Sequence, residues 1–141
     1  YAMTKMKLRG TFLAALACTV LFVGAESGSE TKPLTENVLI QQMFASATNH
    51  RARSGMFAQN LDEGLCQQAQ NWANNMANRN MMYHGGGEQV VGWGYGSPEA
   101  CIQGWINSPG HRMWVLGGNG TCGFGVQRSW SGQWYYAGVF R

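Results

Sequence analysis

Apolar positions change their period along this chain, and the changes mark its elements. Thr11 to Val23 (TFLAALACTVLFV) is an almost unbroken apolar run. Lys5, Lys7 and Arg9 precede it, and Val23-Gly24-Ala25 follows as a small-residue exit. That order is the signature of a signal peptide over residues 1–25. The run falls short of the roughly 18 residues of a membrane span, so no stable span is expected after cleavage. An uncleaved anchor is the other reading of the same residues. Cys18 does not read as a lipid-modified cysteine, because the apolar run continues past it. Glu26 to Leu34 (ESGSETKPL) is polar and reads as a flexible lead-in.

Residues 35–141 then read as one folded domain. Thr35 is the expected cap of a first helix. Val38, Leu39, Met43, Phe44 and Ala47 recur at helical spacing up to about Arg53, and Gly55 ends it. Met56 to Leu61 reads as a connector. Asp62 caps a second helix, with Leu65, Ala69, Trp72, Ala73 and Met76 on one apolar face. Its other face is rich in amides: Gln67, Gln68, Asn71, Asn74 and Asn75. Gln89-Val90-Val91 is a short strand. Ser97-Pro98-Glu99 is a strong start for a third helix, whose apolar side is Ile102, Trp105 and Ile106. Ser108-Pro109 breaks it and opens a turn carrying Gly110, His111 and Arg112. Cys122 to Arg128 and Trp134 to Phe140 are two strands joined by a turn at Ser129 to Gly132. Helices followed by a hairpin make an α+β fold.

Composition narrows the classes. Ten basic and seven acidic residues make the chain +3. Loss of Lys5, Lys7 and Arg9 with the signal leaves seven of each, so the domain has no basic surplus to bind nucleic acid. An exported domain of this size is expected to be a monomer. Cys66, Cys101 and Cys122 remain after cleavage. In an oxidising compartment two of them are expected to pair. Cys101 with Cys122 is the pair expected here, closing a loop around His111 and stabilising by about 3 kcal/mol. Cys66 then reads as a small buried hydrophobe.

The chemistry concentrates between His84 and Arg112 (HGGGEQVVGWGYGSPEACIQGWINSPGHR). His84, Glu88 and His111 have ligand types that suit zinc, with His84 and His111 as the metal pair. The same types suit acid–base catalysis. They equally suit a hydrogen-bonded network that pins two glycine turns. Ser108, three residues before His111, is an ordinary helix cap, and no G-x-S-x-G elbow supports a serine hydrolase. Arg112 could hold an anion or pair with Glu88 or Glu99. His50 reads as a helix-end cation. The aromatics Trp93, Tyr95, Trp105, Trp114, Trp130, Trp134, Tyr135 and Tyr136 serve either as core or as the wall of an apolar groove.

Six segments, in order, resemble the CAP superfamily of cysteine-rich secretory, antigen 5 and pathogenesis-related class 1 proteins, also called SCP domains. They are NHRARSG from Asn49, LDEGLCQQAQNWANNMA from Leu61, MYH from Met82, GEQVVG from Gly87, WINSPGHR from Trp105 and CGFGV from Cys122. WINSPGHR is similar to the bacterial branch. The resemblance implies an α-β-α sandwich around an antiparallel sheet. It implies a cleft of two His and two acids, to which His84, Glu88 and His111 correspond. Ser108 stands where the second acid is expected, and Gln89 stands where the family has Asn. Members have been linked to lipid and sterol binding. A non-enzymatic role follows as the expectation: binding a small apolar or envelope ligand outside the cytoplasm, in a cleft of His84, Glu88, Ser108, His111 and Arg112. A metal-assisted hydrolase of peptide or cell-wall substrates and a disulfide-stabilised interaction module are the alternatives.

Overall fold

A computed structural model describes residues 31–141. The expected signal peptide, Cys18 and the first part of the lead-in lie outside the described residues. A 3-10 turn at Leu34–Glu36 comes first. Then follow α1 (Val38–Arg53), β1 (Asn60–Leu61), α2 (Glu63–Arg79), β2 (Val90–Trp93), α3 (Pro98–Asn107), α4 (Pro109–Val115), β3 (Thr121–Arg128) and β4 (Trp134–Phe140).

Four strands form one sheet in the order β1-β3-β4-β2. Strand alternation sends Cys122, Phe124, Val126, Tyr136 and Phe140 to one face, among Ile40, Met43, Ile102 and Trp105 of α1 and α3. Tyr135, Ala137 and Val139 face Ala69, Met76 and Ala77 of α2 on the other. The expected α+β sandwich is therefore present. The sheet is mixed rather than antiparallel, because β1 runs parallel to β3. The connector reading of Met56 to Leu61 missed β1. Two residues have no period to read, and β1 is held by backbone pairing, Asn60 N–H to Gly120 O at 3.0 Å and Asp62 N–H to Cys122 O at 2.9 Å.

Helix α2 lies directly on β3. A Cβ at Gly123 would sit 2.2 Å from the Leu65 carbonyl carbon, and one at Gly125 would sit 2.3 Å from that of Ala69. Any side chain there would lift the helix off the sheet. The close approach lets α2 side chains complete the edge of β3 beyond β1. The Gln70 amide donates to Val126 O at 2.9 Å and accepts from Val126 N–H at 3.0 Å. One turn earlier, Cys66 is fully buried in the core cluster that holds Phe124. An edge that would otherwise offer unpaired groups is thereby closed. Cys66 is a buried residue, as expected.

Helix ends follow local chemistry, with two corrections. Asn37, not Thr35, caps α1: its Oδ1 accepts from Leu39 N–H at 3.0 Å and Ile40 N–H at 3.3 Å. The stronger Asx cap wins, and residues 34–36 are drawn into the preceding turn by Glu63, which accepts from Leu34 and Thr35 N–H at 2.9 and 2.8 Å. These bonds hold the Glu63 carboxyl below its ordinary range. Residues 109–115 form α4 rather than a turn, because Pro109 at its first position is compatible with a helix.

The expected Cys101–Cys122 cross-link is not formed, and Cys66, Cys101 and Cys122 are buried free thiols. The sulfurs have different surroundings. The Cys101 Sγ sits against Gly92 of β2, 2.6 Å from where a Cβ there would lie. Cys122 has Cys66 and Arg51 as its charged or polar neighbours. Burial pushes the Cys66 thiol up to about 11 and Cys122 up to about 12, so both stay protonated at neutral pH.

Arg51 is 2% exposed. Its guanidinium donates to Phe57 O at 2.9 Å and to Val115 O and Gly117 O at 2.8 Å each. One side chain thus joins the end of α1 to the end of α4 and to the loop leading to β1. Removing it strands three carbonyls, so Arg51→Met should cost about 3 kcal/mol. Gly125→Ala should cost about 3 kcal/mol by overpacking, while Gly118→Ala, with nothing within 4 Å of the added carbon, should stay near neutral. Urea unfolding of the three variants checks both expectations.

Candidate functional site

The site loop runs from His84 to Glu88 and folds back over α2. Gly86 makes this possible, since a Cβ there would sit 2.5 Å from the Trp72 ring. Gly87 adds a φ of +78°, which other residues rarely adopt. Two α2 side chains fasten the loop. Trp72 Nε1 donates to Tyr83 O at 2.8 Å, and Gln68 Nε2 donates to Gly86 O at 3.0 Å.

Glu88 is the buried centre of this loop, with its side chain 1% exposed. Its Oε1 accepts from Gly85 N–H at 3.0 Å and lies 3.0 Å from His84 Nδ1. Its Oε2 accepts from Gly86 N–H at 2.7 Å. Both carboxylate oxygens are engaged inside a loop of five residues, His84 to Glu88. His84 is the exposed member, with its side chain 55% accessible. Gln89, next in sequence, accepts from Phe140 N–H at 2.8 Å and so ties the loop to the end of β4.

Across from this loop, His111 sits half-buried in the first turn of α4. Burial lowers its pKa below the ordinary value, and the charge of His84 lowers it further. Ser108 joins α3 to α4 and makes no side-chain cap bond. Arg112 is exposed and reaches neither Glu88 nor Glu99; among the described residues the ion pair of Glu88 is to His84. The structure thus pairs His84 with Glu88 at 3.0 Å, and His111, Ser108 and Arg112 lie outside that set of hydrogen bonds.

Zinc fits this set poorly. No group of three or more His, Cys, Asp or Glu among the described residues converges to hold a metal. Glu88 already spends both oxygens on the loop, and Ser108 supplies no acid where the family has one. Two imidazoles alone are not a structural zinc set.

A cavity of about 250 Å³ opens elsewhere, between α1, the start of α3 and the hairpin. Leu39, Pro98, Val126, Trp134 and Tyr136 form its apolar wall, with Gln42, Ser97 and Glu99 as polar members. None of the expected cleft residues lines it. A second hollow of about 290 Å³ shares Gln42 and Glu99 and continues along α1 past Ser46, Asn49, His50 and Arg53. Of the aromatics, Trp105 and Tyr135 are core, Trp93 and Trp130 are exposed, and Trp134 and Tyr136 are cavity walls. Sequence reasoning missed Arg51, Gln70 and the α1–α3 cavity. An arginine in the last turn of an amphipathic helix and a glutamine among amides carry no signal that separates them from surface residues.

The model of the cysteine-rich secretory protein family, CAP, matches residues 46–140. The chain belongs to this family. No curated protein matches this CAP chain. Solved structures that resemble it include an outer surface protein from Borrelia burgdorferi, with TM-score 0.59, 12% identity, 71% of this chain and 89% of that one. An extracellular SCP-domain protein from Bacillus anthracis gives TM-score 0.54 and 22% identity over 72% of this chain and 40% of that one. A cysteine-rich secretory protein from Staphylococcus aureus gives TM-score 0.51 and 16% identity over 72% of this chain and 37% of that one. At these identities the likeness concerns the CAP fold, and this chain spans less than half of the last two proteins. Among its described residues no helix is long and apolar enough to cross a membrane.

Two tests follow from the site. Glu88→Gln should destabilise by about 1–3 kcal/mol, because one carboxylate holds two N–H groups and His84. A folded pKa of His111 below its unfolded value means the unfolded chain binds more protons as pH falls below about 6.5. Stability should therefore fall from about pH 6.5 downward, through the folded pKa, and His111→Gln should flatten that slope in a melting-temperature series.

Proposed function

We propose that this CAP domain is a non-enzymatic binder that works outside the cytoplasm. Its ligand is a small amphiphile, with an apolar body and a hydrogen-bonding or anionic end. The observation that carries this reading is the α1–α3 cavity, whose apolar wall adjoins a polar hollow containing His50 and Arg53. Small-ligand sites are concave and mainly apolar, with few polar groups to fix orientation. Its lining replaces the cleft of His84, Glu88 and His111 as the binding place. In this reading the His84 loop is a structural network, consistent with a carboxylate whose oxygens are both engaged.

The test is a thermal-shift series with decanoate and with a sterol, beside native mass spectrometry of the protein taken from its host. Ligand at a hundredfold excess over its dissociation constant should stabilise by about 2.7 kcal/mol. Leu39→Trp should fill the cavity and abolish the shift. A bare mass with no shift from either compound would end the proposal.

One observation favours a second reading. An exposed imidazole held by a buried carboxylate at 3.0 Å is the arrangement of a general base and its orienting acid. A hydrolase of peptide or cell-wall substrates would use it. Turnover that disappears in His84→Gln and survives Leu39→Trp would select this reading over the binder.

A further inference from the structure

We propose that the tip of the β3–β4 hairpin and the adjoining end of α2 form a docking site for an anionic lipid surface. Trp130 at the tip is 83% exposed, and Met81 and Met82 just past α2 are 52% and 48% exposed. These two segments are fastened together. Asn80 ends α2 in the left-handed conformation, with φ 50° and ψ 41°. Its Oδ1 accepts from the Ser131 hydroxyl and, at 3.4 Å, from the Tyr135 hydroxyl. Trp130 and Met81 each lie one residue from the Ser131–Asn80 bond. A third bond, between the Ser129 and Ser131 hydroxyls at 2.9 Å, stiffens the turn. The apolar tip is thus presented rather than left loose.

Two arginines flank it. Arg128 at the base of the hairpin donates to Gly132 O at 3.0 Å, and its guanidinium lies 5.7 Å from the Trp134 ring centre. Arg79 in the last turn of α2 lies 5.5 Å from the Tyr83 ring centre. Both are exposed, and among the described residues neither has a carboxylate within ion-pair distance. The described acids are engaged or placed elsewhere. Asp62 and Glu63 begin α2, about 25 Å along the helix from Arg79 by the rise per residue, and Glu36 belongs to the turn tied to Glu63. Glu88 is closed in its loop, and Glu99 lines the cavity from α3.

Charge and shape favour lipid over a protein partner. Trp130 stands exposed in the turn between β3 and β4, whereas an aromatic anchor for a protein surface needs a matching pocket. Tryptophan settles at the headgroup level of a bilayer, methionine adapts to acyl chains, and arginine is drawn to anionic lipid. The hairpin also carries Trp134, so docking would bring the cavity wall close to a membrane. That consequence depends on the binder reading; the docking site itself does not.

Co-sedimentation tests it, using the full chain with vesicles of phosphatidylcholine alone and of phosphatidylcholine mixed with phosphatidylglycerol. Binding to the mixed vesicles should exceed binding to the neutral ones and should weaken with salt. Arg79→Gln and Arg128→Gln should each reduce it about fivefold. Trp130→Ser should reduce binding to both vesicle types, by about fivefold or more. All three side chains are exposed, so unchanged melting temperatures show that the variants fold. Variants that bind as well as the parent would overturn the proposal, since the Thr11–Val23 run would then carry the binding. Absence of binding to mixed vesicles, or capture of an acidic protein by a tip that ignores vesicles, would overturn it too. Loss of the decanoate shift with vesicle binding intact would strike the binder reading alone.

Discussion

The fold depends on bringing the backbone of α2 against the backbone of β3. Gly123 and Gly125 leave no side chain between them, and a single added carbon at either would sit 2.2–2.3 Å from helix backbone, far inside van der Waals contact. A helix seated this low can do what a helix packed at an ordinary distance cannot. Its short side chains reach the sheet edge. Gln70 pairs with both backbone groups of Val126. A two-residue β1 is then enough, because the helix supplies the rest of the missing neighbour.

The same helix organises the site. Trp72 and Gln68 face away from the sheet edge and hold the glycine loop that carries His84 and Glu88. The loop closes on itself through the Glu88 carboxylate, and Gln89 hands the chain to the sheet. On the opposite layer, Arg51 gathers the ends of α1 and α4 and the loop before β1, and with them the helix bearing His111. Burial, and after it the charge of His84, lowers the His111 pKa below its ordinary value.

Local signals were strongest where one residue type answers one backbone need. The caps at Asp62 and Ser97 form as expected, with Oδ1 to Leu65 N–H at 2.8 Å and Oγ to Ala100 N–H at 3.2 Å. The first helix shows the limit of that logic. Thr35 and Asn37 are both capping residues by type, and the choice between them is made by Glu63, far along the chain. The cysteines show another limit. Three thiols in an exported-looking chain suggest a pair, yet Cys101 turns toward β2 while Cys122 lies by Cys66 and Arg51.

By itself the sequence determined the helix and strand alternation, the α+β class and the family motifs. Each of these is written in spacing along a short stretch, where backbone geometry leaves few choices. Tertiary structure alone decided the mixed order of the sheet, the burial of Arg51, the free state of the thiols and the cavity between α1 and α3. Those depend on which surfaces meet after distant segments have packed. Close packing makes each such meeting a matter of tenths of an ångström, as Gly123 and Gly125 show, and no local pattern carries that information.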